Sequence, residues 1–221
     1  IVYSMKDTAA NLAGATDLAR TETVNIIATT DATVAEATKI VENVSGYNTF
    51  NIVDTDANIA GSNDTLLAKA VSVTVSGTST VANAVTISGL GKAVTYSISD
   101  VSANALATTG AAYNEAVNIT ITDDTTYAKA KAIDDASNTD NGGVNTYSIN
   151  DTATAIAGGV VEDLPVINGA TTIVANTNAT FAEAATMSGI AKAISYSISD
   201  EQANIPNSTN GSINEAINIT I

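Results

Sequence analysis

Apolar and polar residues alternate strictly in short stretches that recur along the chain. In VTYSISD at 94–100, Val94, Tyr96 and Ile98 fall on one side, and Thr95, Ser97 and Ser99 on the other. In VNITIT at 117–122, Val117, Ile119 and Ile121 alternate with Asn118, Thr120 and Thr122. A two-residue period in β-branched sequence predicts a short strand with one buried face. Behind each strand the period lengthens. Thr33 stands three residues before Glu36, and Thr180 three before Glu183. That is the spacing of a capping box, in which the hydroxyl accepts from the third helical amide and the carboxylate reaches back to the cap. After Thr33, the residues Val34, Ala37, Val41 and Val44 share one face at helical spacing. The same box is weaker at Thr80 with Asn83 and broken at Thr126 with Lys129.

Two motifs carry these strands and turns, and each occurs five times. The first opens at Tyr3 (YSMKDTAANLA), Phe50 (FNIVDTDANIA), Tyr96 (YSISDVSANAL), Tyr147 (YSINDTATAIA) and Tyr196 (YSISDEQANIP). The second opens at Val24 (VNIIATTDATVAEA), Val71 (VSVTVSGTSTVANA), Val117 (VNITITDDTTYAKA), Thr171 (TTIVANTNATFAEA) and Ile217 (INITI). From first to second motif the offset is 21 residues in four cases and 24 in one. A longer period overlies this: SGLGKAVTYSISD at 88–100 returns as SGIAKAISYSISD at 188–200.

A strand and a short helix or turn every 21–30 residues predicts a repeat architecture with parallel neighbouring strands. The expected fold is a parallel β-solenoid of about ten rungs with short helices or turns between strands; the alternative is an all-β parallel β-helix without true helices. The expected domain is one continuous array over residues 1–221, with double rungs starting near Tyr3, Phe50, Tyr96, Tyr147 and Tyr196. Both ends fall in mid-pattern, so the expectation is an excerpt of a longer chain.

Asp7, Asp54, Asp100, Asp151 and Asp200 mark the strand ends of the first motif, where aspartate is a good helix N-cap. Asn11, Asn58, Asn104 and Asn204 each follow that aspartate by four residues, and the fourth repeat has Ala155 instead. The expected role is a ladder of amides satisfying turn backbone groups from rung to rung. The functional alternative is a row of ligand amides.

Charge and composition narrow the chemistry. Eight basic residues against 23 acidic ones give a net charge of -15, which is opposite to what phosphate recognition requires. The chain has no histidine and no cysteine, so disulfides, zinc–thiolate sites and the Ser–His–Asp and Cys–His arrangements are excluded. No enzymatic activity is expected. Aromatics are only 4% of residues, which suits a thin core filled by Ala, Val and Ile. No apolar run approaches the roughly 18–20 residues that span a bilayer. Calcium is the one cofactor the composition invites. Asp123, Asp124, Asp134, Asp135 and Asp140 crowd one repeat around the turn NTDNGG, and calcium takes several oxygen ligands from a flexible loop. The spacing matches neither an EF-hand nor a glycine-rich calcium nonapeptide, and a metal-free acidic loop is the competing reading.

The phrases YSMKDTAANLA and VNITITDDTTYAKA resemble the degenerate repeat arrays of very large secreted or cell-surface proteins of bacteria, the cyanobacterial-type surface and matrix repeat proteins. The resemblance runs through the whole chain. It implies an extracellular or cell-surface location and a structural or adhesive role. The expected function is therefore a structural segment of an extracellular filament, sheath, surface layer or matrix protein, assembling by stacking of rungs. Its expected partners are further copies of itself or adjacent repeats. The alternative is an adhesin stalk or a glycan- or cell-binding module, with calcium as its candidate cofactor.

Overall fold

A computed structural model of the protein describes residues 3–42, 46–105, 110–136, 143–204 and 211–221. These hold eleven strands and thirteen helices, and the longest helices have ten residues.

The strands pair in parallel, and the sequence offsets of the two motifs reappear as registers. β1 (Tyr3–Asp7) pairs with β2 (Thr23–Ala28), Met5 opposite Ile26, and β3 (Tyr47–Thr49) adds to the far side of β2. β4 (Ile52–Asp54) pairs with β5 (Val73–Val75), Ile52 opposite Val73. β6 (Ile98–Asp100), β7 (Asn118–Thr125), β8 (Val144–Asp151) and β9 (Ile173–Ala175) form a sheet in that order, with Ile149 opposite Ile173. β10 (Ile198–Ser199) pairs with β11 (Ile219–Thr220), Ile198 opposite Ile219.

These pairings do not add up to the expected β-solenoid, nor to the all-β β-helix. The chain is mixed α/β, with four small, separate parallel sheets of two to four strands. The physical reason lies in the turns. After β5 the chain bends through Gly77, which sits at φ 89, and contact with the next first-motif segment falls to single bridges, Thr74 with Thr95 and Ser79 with Ile98. The same happens beyond β9, where only Val174 with Ser195 and Ala179 with Ile198 bridge. Strands of two or three residues cannot carry a ladder onward, and helices cover the sheets' apolar sides instead.

The chain divides into two compact units. The first consists mainly of Ile1–Ser99 with Gly110–Asn118. Its core includes Leu12, Ile26, Ile40, Ile52, Leu67, Ile87 and Tyr96, all buried. Helices α1 (Ala9–Gly14) and α3 (Val34–Val41) lie side by side in it, as do α4 (Asp56–Ala60) and α6 (Val81–Ser88). The second unit consists mainly of Ile119–Thr139 and Val144–Ile221 with Asp100–Thr109. It buries Ile133, Tyr147, Ile149, Ile156, Ile167, Met187 and Ile198, with α10 (Ala153–Glu162) against α12 (Phe181–Ser188). Ala37, Ala84 and Ala184 are completely buried on these helices. Their small side chains let short helices approach closely, which accounts for the alanine-rich composition.

The helices start where hydroxyls make them start. Thr33 and Thr180 form complete capping boxes with Glu36 and Glu183. At Thr80 and Thr126 only the hydroxyl half is present, each accepting from the amide three residues on at 3.3 Å. In the first motif the N-cap is the threonine after the aspartate, as at Thr8, Thr55 and Thr152.

The tyrosine that opens the first motif has a specific task. The hydroxyl of Tyr3 donates to the Ala19 carbonyl at 2.7 Å, Tyr96 to Ala112 at 2.8 Å, Tyr147 to Val166 at 2.9 Å and Tyr196 to Ser212 at 2.9 Å. Each satisfies a carbonyl of the helical connection that leads to the next strand. Phe50 lacks the hydroxyl, and the corresponding carbonyl, Leu66 O, instead accepts the Lys69 amide at 3.0 Å.

One glycine is fixed by close approach. A Cβ on Gly46 would stand 1.7 Å from the Val24 carbonyl oxygen, a backbone atom held in β2. Gly46→Ala is expected to cost about 1–3 kcal/mol by forcing β2 and β3 apart. Urea unfolding measures it, and an unchanged midpoint would show that the approach is not obligatory.

Candidate functional site

Each strand-end aspartate accepts a hydrogen bond from the backbone of its own motif. Asp7 accepts from the Thr8 amide at 2.7 Å and from Asn11 Nδ2 at 2.9 Å. Asp54 does the same with Thr55 and Asn58, both at 2.8 Å. Asp100 holds Val101 and Asn104, both at 2.8 Å, and Asp200 holds Glu201 at 2.8 Å and Asn204 at 2.7 Å. Asp151 takes the Thr152 amide at 2.7 Å and faces Ala155, which has no amide to give. The asparagines thus close onto the carboxylate of their own motif. They do not step from rung to rung as the ladder expected. The reason is local: four residues along a helical turn put Asn directly over Asp.

The step between motifs is made by the second carboxylate oxygen. Asp54 Oδ2 accepts the Val34 amide at 2.8 Å, Asp151 Oδ2 that of Tyr127 at 2.9 Å, and Asp200 Oδ2 that of Phe181 at 3.0 Å. These are the first amides of α3, α9 (Tyr127–Ala136) and α12, which have no partner within their own helix. First-motif helices are capped similarly by residues in or just after the following strand. Ala9 N donates to Thr30 Oγ1 at 3.0 Å, Ser102 N to Asp123 at 2.7 Å and Ala153 N to Thr177 Oγ1 at 3.0 Å. Each of these six helix starts is therefore held by a side chain roughly one motif further along the sequence. The spacing of caps within one motif was visible in the sequence; these cross-motif caps were not, because they depend on which turn lies over which strand end.

The bonding lowers the carboxyl pKa values. The Asn11 amide, with the Thr8 amide, holds Asp7 below its usual range, and Asn204 with Phe181 and Glu201 does so for Asp200. At Asp54 burial pushes upward, but the bonds from Asn58, Val34 and Thr55 together outweigh it and the net shift is down. Asp56 behaves alike: burial opposes, while Asn83, Thr80, Ala57 and Ser79 prevail. A lowered folded-state pKa means that ionisation favours the fold. That stability is present above the unfolded value of about 3.9 and is lost as pH falls through the lower folded values. The melting temperature is expected to stay level from about pH 7 to pH 5 and to drop steeply below about pH 4. Acid would also relieve repulsion in a chain of net charge -15, so a melting temperature that rises below that pH would show repulsion outweighing the caps.

The acidic residues considered for calcium lie apart in their bonding. Asp123 and Asp124 sit on β7, where Asp123 holds the Ser102 amide and hydroxyl and Asp124 accepts from Asn150 Nδ2 at 3.2 Å. Asp134 and Asp135 end α9; Asn145 Nδ2 donates to Asp134 at 3.4 Å, and Asp135 pairs with Lys131 at 3.1 Å. Asp140 lies outside the described residues. Among the described residues no three carboxylates gather in a group that could hold a metal ion.

Two cations bind the protein to itself in ways no motif announced. Lys131 reaches Asp163 at 2.6 Å as well as Asp135, and those bonds raise its pKa well above the usual lysine value. Arg20, almost fully buried, donates to the carbonyls of Ala13 and Ala15 and pairs with Asp17. Two further lysines line grooves that recur with the 100-residue period. One groove, of about 370 Å³, is lined by Ser88, Leu90, Lys92, Ala93, Val94 and Glu115. Its counterpart, of about 330 Å³, is lined by residues 190–194, including Lys192, and by Glu215. Lys92 donates to the Val71 carbonyl at 3.2 Å.

Comparison of the chain with family models, with curated proteins and with solved structures gave no match. Among the described residues no helix is long and apolar enough to cross a membrane.

Proposed function

We propose that the chain is a non-enzymatic structural segment of an extracellular filament, sheath, surface layer or matrix protein, with further copies or adjacent repeats as its partners. The observation that carries this reading is the use made of the repeated carboxylates. Asp54, Asp151 and Asp200 each accept an amide within their own motif and the first amide of a helix from the preceding one. Asp54 and Asp200 each hold three such donors and Asp151 two; a carboxylate so committed is a fastener, poorly placed to transfer protons or attack a substrate. The device recurs in the motif copies that open at Phe50, Tyr147 and Tyr196, so lengthening the chain by such motifs adds further fasteners. An acidic, cysteine-free surface agrees with a solvated location outside the cell. The test is location in the source cells. Antibodies raised against the chain should label intact, unpermeabilised cells or the material shed around them. Label that appears only after permeabilisation would sink the reading.

A further inference from the structure

The outward face of the first sheet displays an arrangement that the structural role does not use. The registers place Ser4 opposite Asn25 and Asn25 opposite Tyr47, and likewise Lys6 opposite Ile27 and Ile27 opposite Thr49. Two rows of three side chains therefore share one face of β1-β2-β3. Asn25 Nδ2 donates to Ser4 Oγ at 3.3 Å across that face, while Ile26 between them points the other way and is completely buried. Tyr47 ends the first row 84% exposed, the most exposed large apolar side chain among the described residues. Beside it lies a groove of about 270 Å³ lined by Gly46, Tyr47, Asn48 and Lys69.

Charge sharpens the choice of ligand. The chain has eight basic residues, and Arg20, Lys39 and Lys131 are paired with carboxylates. Lys6 and Lys69 are exposed and take part in no ion pair among the described residues. Lys69 lines the groove beside the exposed Tyr47 ring, and Lys6 stands in the second row of the same face, two strands from Tyr47. The ring offers a flat apolar face with a polar tip, the amide and hydroxyls offer donors and acceptors, and an ammonium accepts an anion as a point charge. Three strands at about 4.8 Å spacing give a row about 10 Å long, the reach of a disaccharide.

We propose that this face binds an acidic polysaccharide, with a uronate ring stacked on Tyr47, its carboxylate at Lys69, and the adjoining sugar hydroxyls on Asn25 and Ser4. The binding site goes beyond the structural reading and does not depend on it.

The test is an NMR titration of the whole chain with a short oligogalacturonate. Amide shifts should concentrate at residues 4–6, 25–27, 47–49 and 69. Tyr47→Ala and Lys69→Gln should each weaken binding about five- to tenfold. The methyl-esterified oligomer, which has no charge, should bind correspondingly less, and added salt should weaken the acidic oligomer. Lys129→Gln, which removes one positive charge from the second compact unit, serves as the control and should leave affinity unchanged. Melting curves confirm that the variants fold, and the exposure of Tyr47 and Lys69 makes both substitutions tolerable. The proposal is overturned by an absence of shifts, by shifts centred elsewhere, by equal binding of the esterified oligomer, or by variants that bind as well as the parent.

Discussion

Replacing Tyr147 with alanine is expected to lower stability by about 3–5 kcal/mol, the range for deleting a large buried aromatic side chain. Tyr147 is 1% exposed and its hydroxyl donates to the Val166 carbonyl at 2.9 Å. Truncation leaves a cavity beneath β8 and a buried carbonyl without its donor. Tyr147→Phe separates the two effects. It keeps the ring and removes only the bond, so it should cost about 1 kcal/mol. In urea unfolding both variants should shift the midpoint without changing the slope. For a chain of this length each kcal/mol corresponds to about 2–4 °C in melting temperature. A phenylalanine variant as stable as the parent would show that the hydroxyl is dispensable, as it is at Phe50, where a backbone amide already serves the corresponding carbonyl.

Replacing Asp54 with alanine is expected to cost about 2–4 kcal/mol, since it strips a buried position of its acceptors and leaves several donors unmet. Asp54 is 8% exposed and holds the Val34 and Thr55 amides and Asn58 Nδ2. The loss falls on both sides of a motif junction, the start of α3 and the turn that opens α4. Asp54→Asn should not rescue it, because the amide presents donors where the carboxylate presented a second acceptor. Asp7→Ala should be milder, because Asp7 is exposed and its side-chain bonds lie within its own motif. The acid limb of the melting curve should also flatten in Asp54→Ala, since one group whose ionisation favours the fold is gone. Equal losses for Asp7 and Asp54 would argue that the junction bond adds nothing beyond the local cap.

The repeat itself was legible. The alternation in YSISD and VNITI marked strands, and the offsets of 21 and 24 residues became the registers that set Met5 against Ile26 and Ile149 against Ile173. Thr33 with Glu36 and Thr180 with Glu183 became capping boxes, because a box depends only on residues three apart. The continuous solenoid did not follow from these correct pieces. Whether one pair of strands continues into the next depends on the bend between them, and Gly77 and the segments after β5 and β9 reduce that contact to single bridges. The acidic residues of the proposed calcium loop show the same limit: Asp123 and Asp135 are near in sequence, yet the fold assigns one to a helix start and the other to Lys131.

The sequence by itself determined part of the local chemistry: where the motif strands lie, that neighbouring strands run parallel, where the two capping-box helices start, and which chemistries a chain without histidine or cysteine cannot perform. Only the tertiary structure decided how far each sheet extends, why the motif opens with tyrosine in four of its five copies, and which helix each aspartate caps. It also decided that Ser4, Asn25 and Tyr47 stand in one row. The division has a physical cause. Periods and caps act over three or four neighbouring residues and are written in adjacent letters. Cross-motif caps and surface rows join residues about twenty apart, and their partners are fixed by the path of the intervening turn, which no single residue encodes.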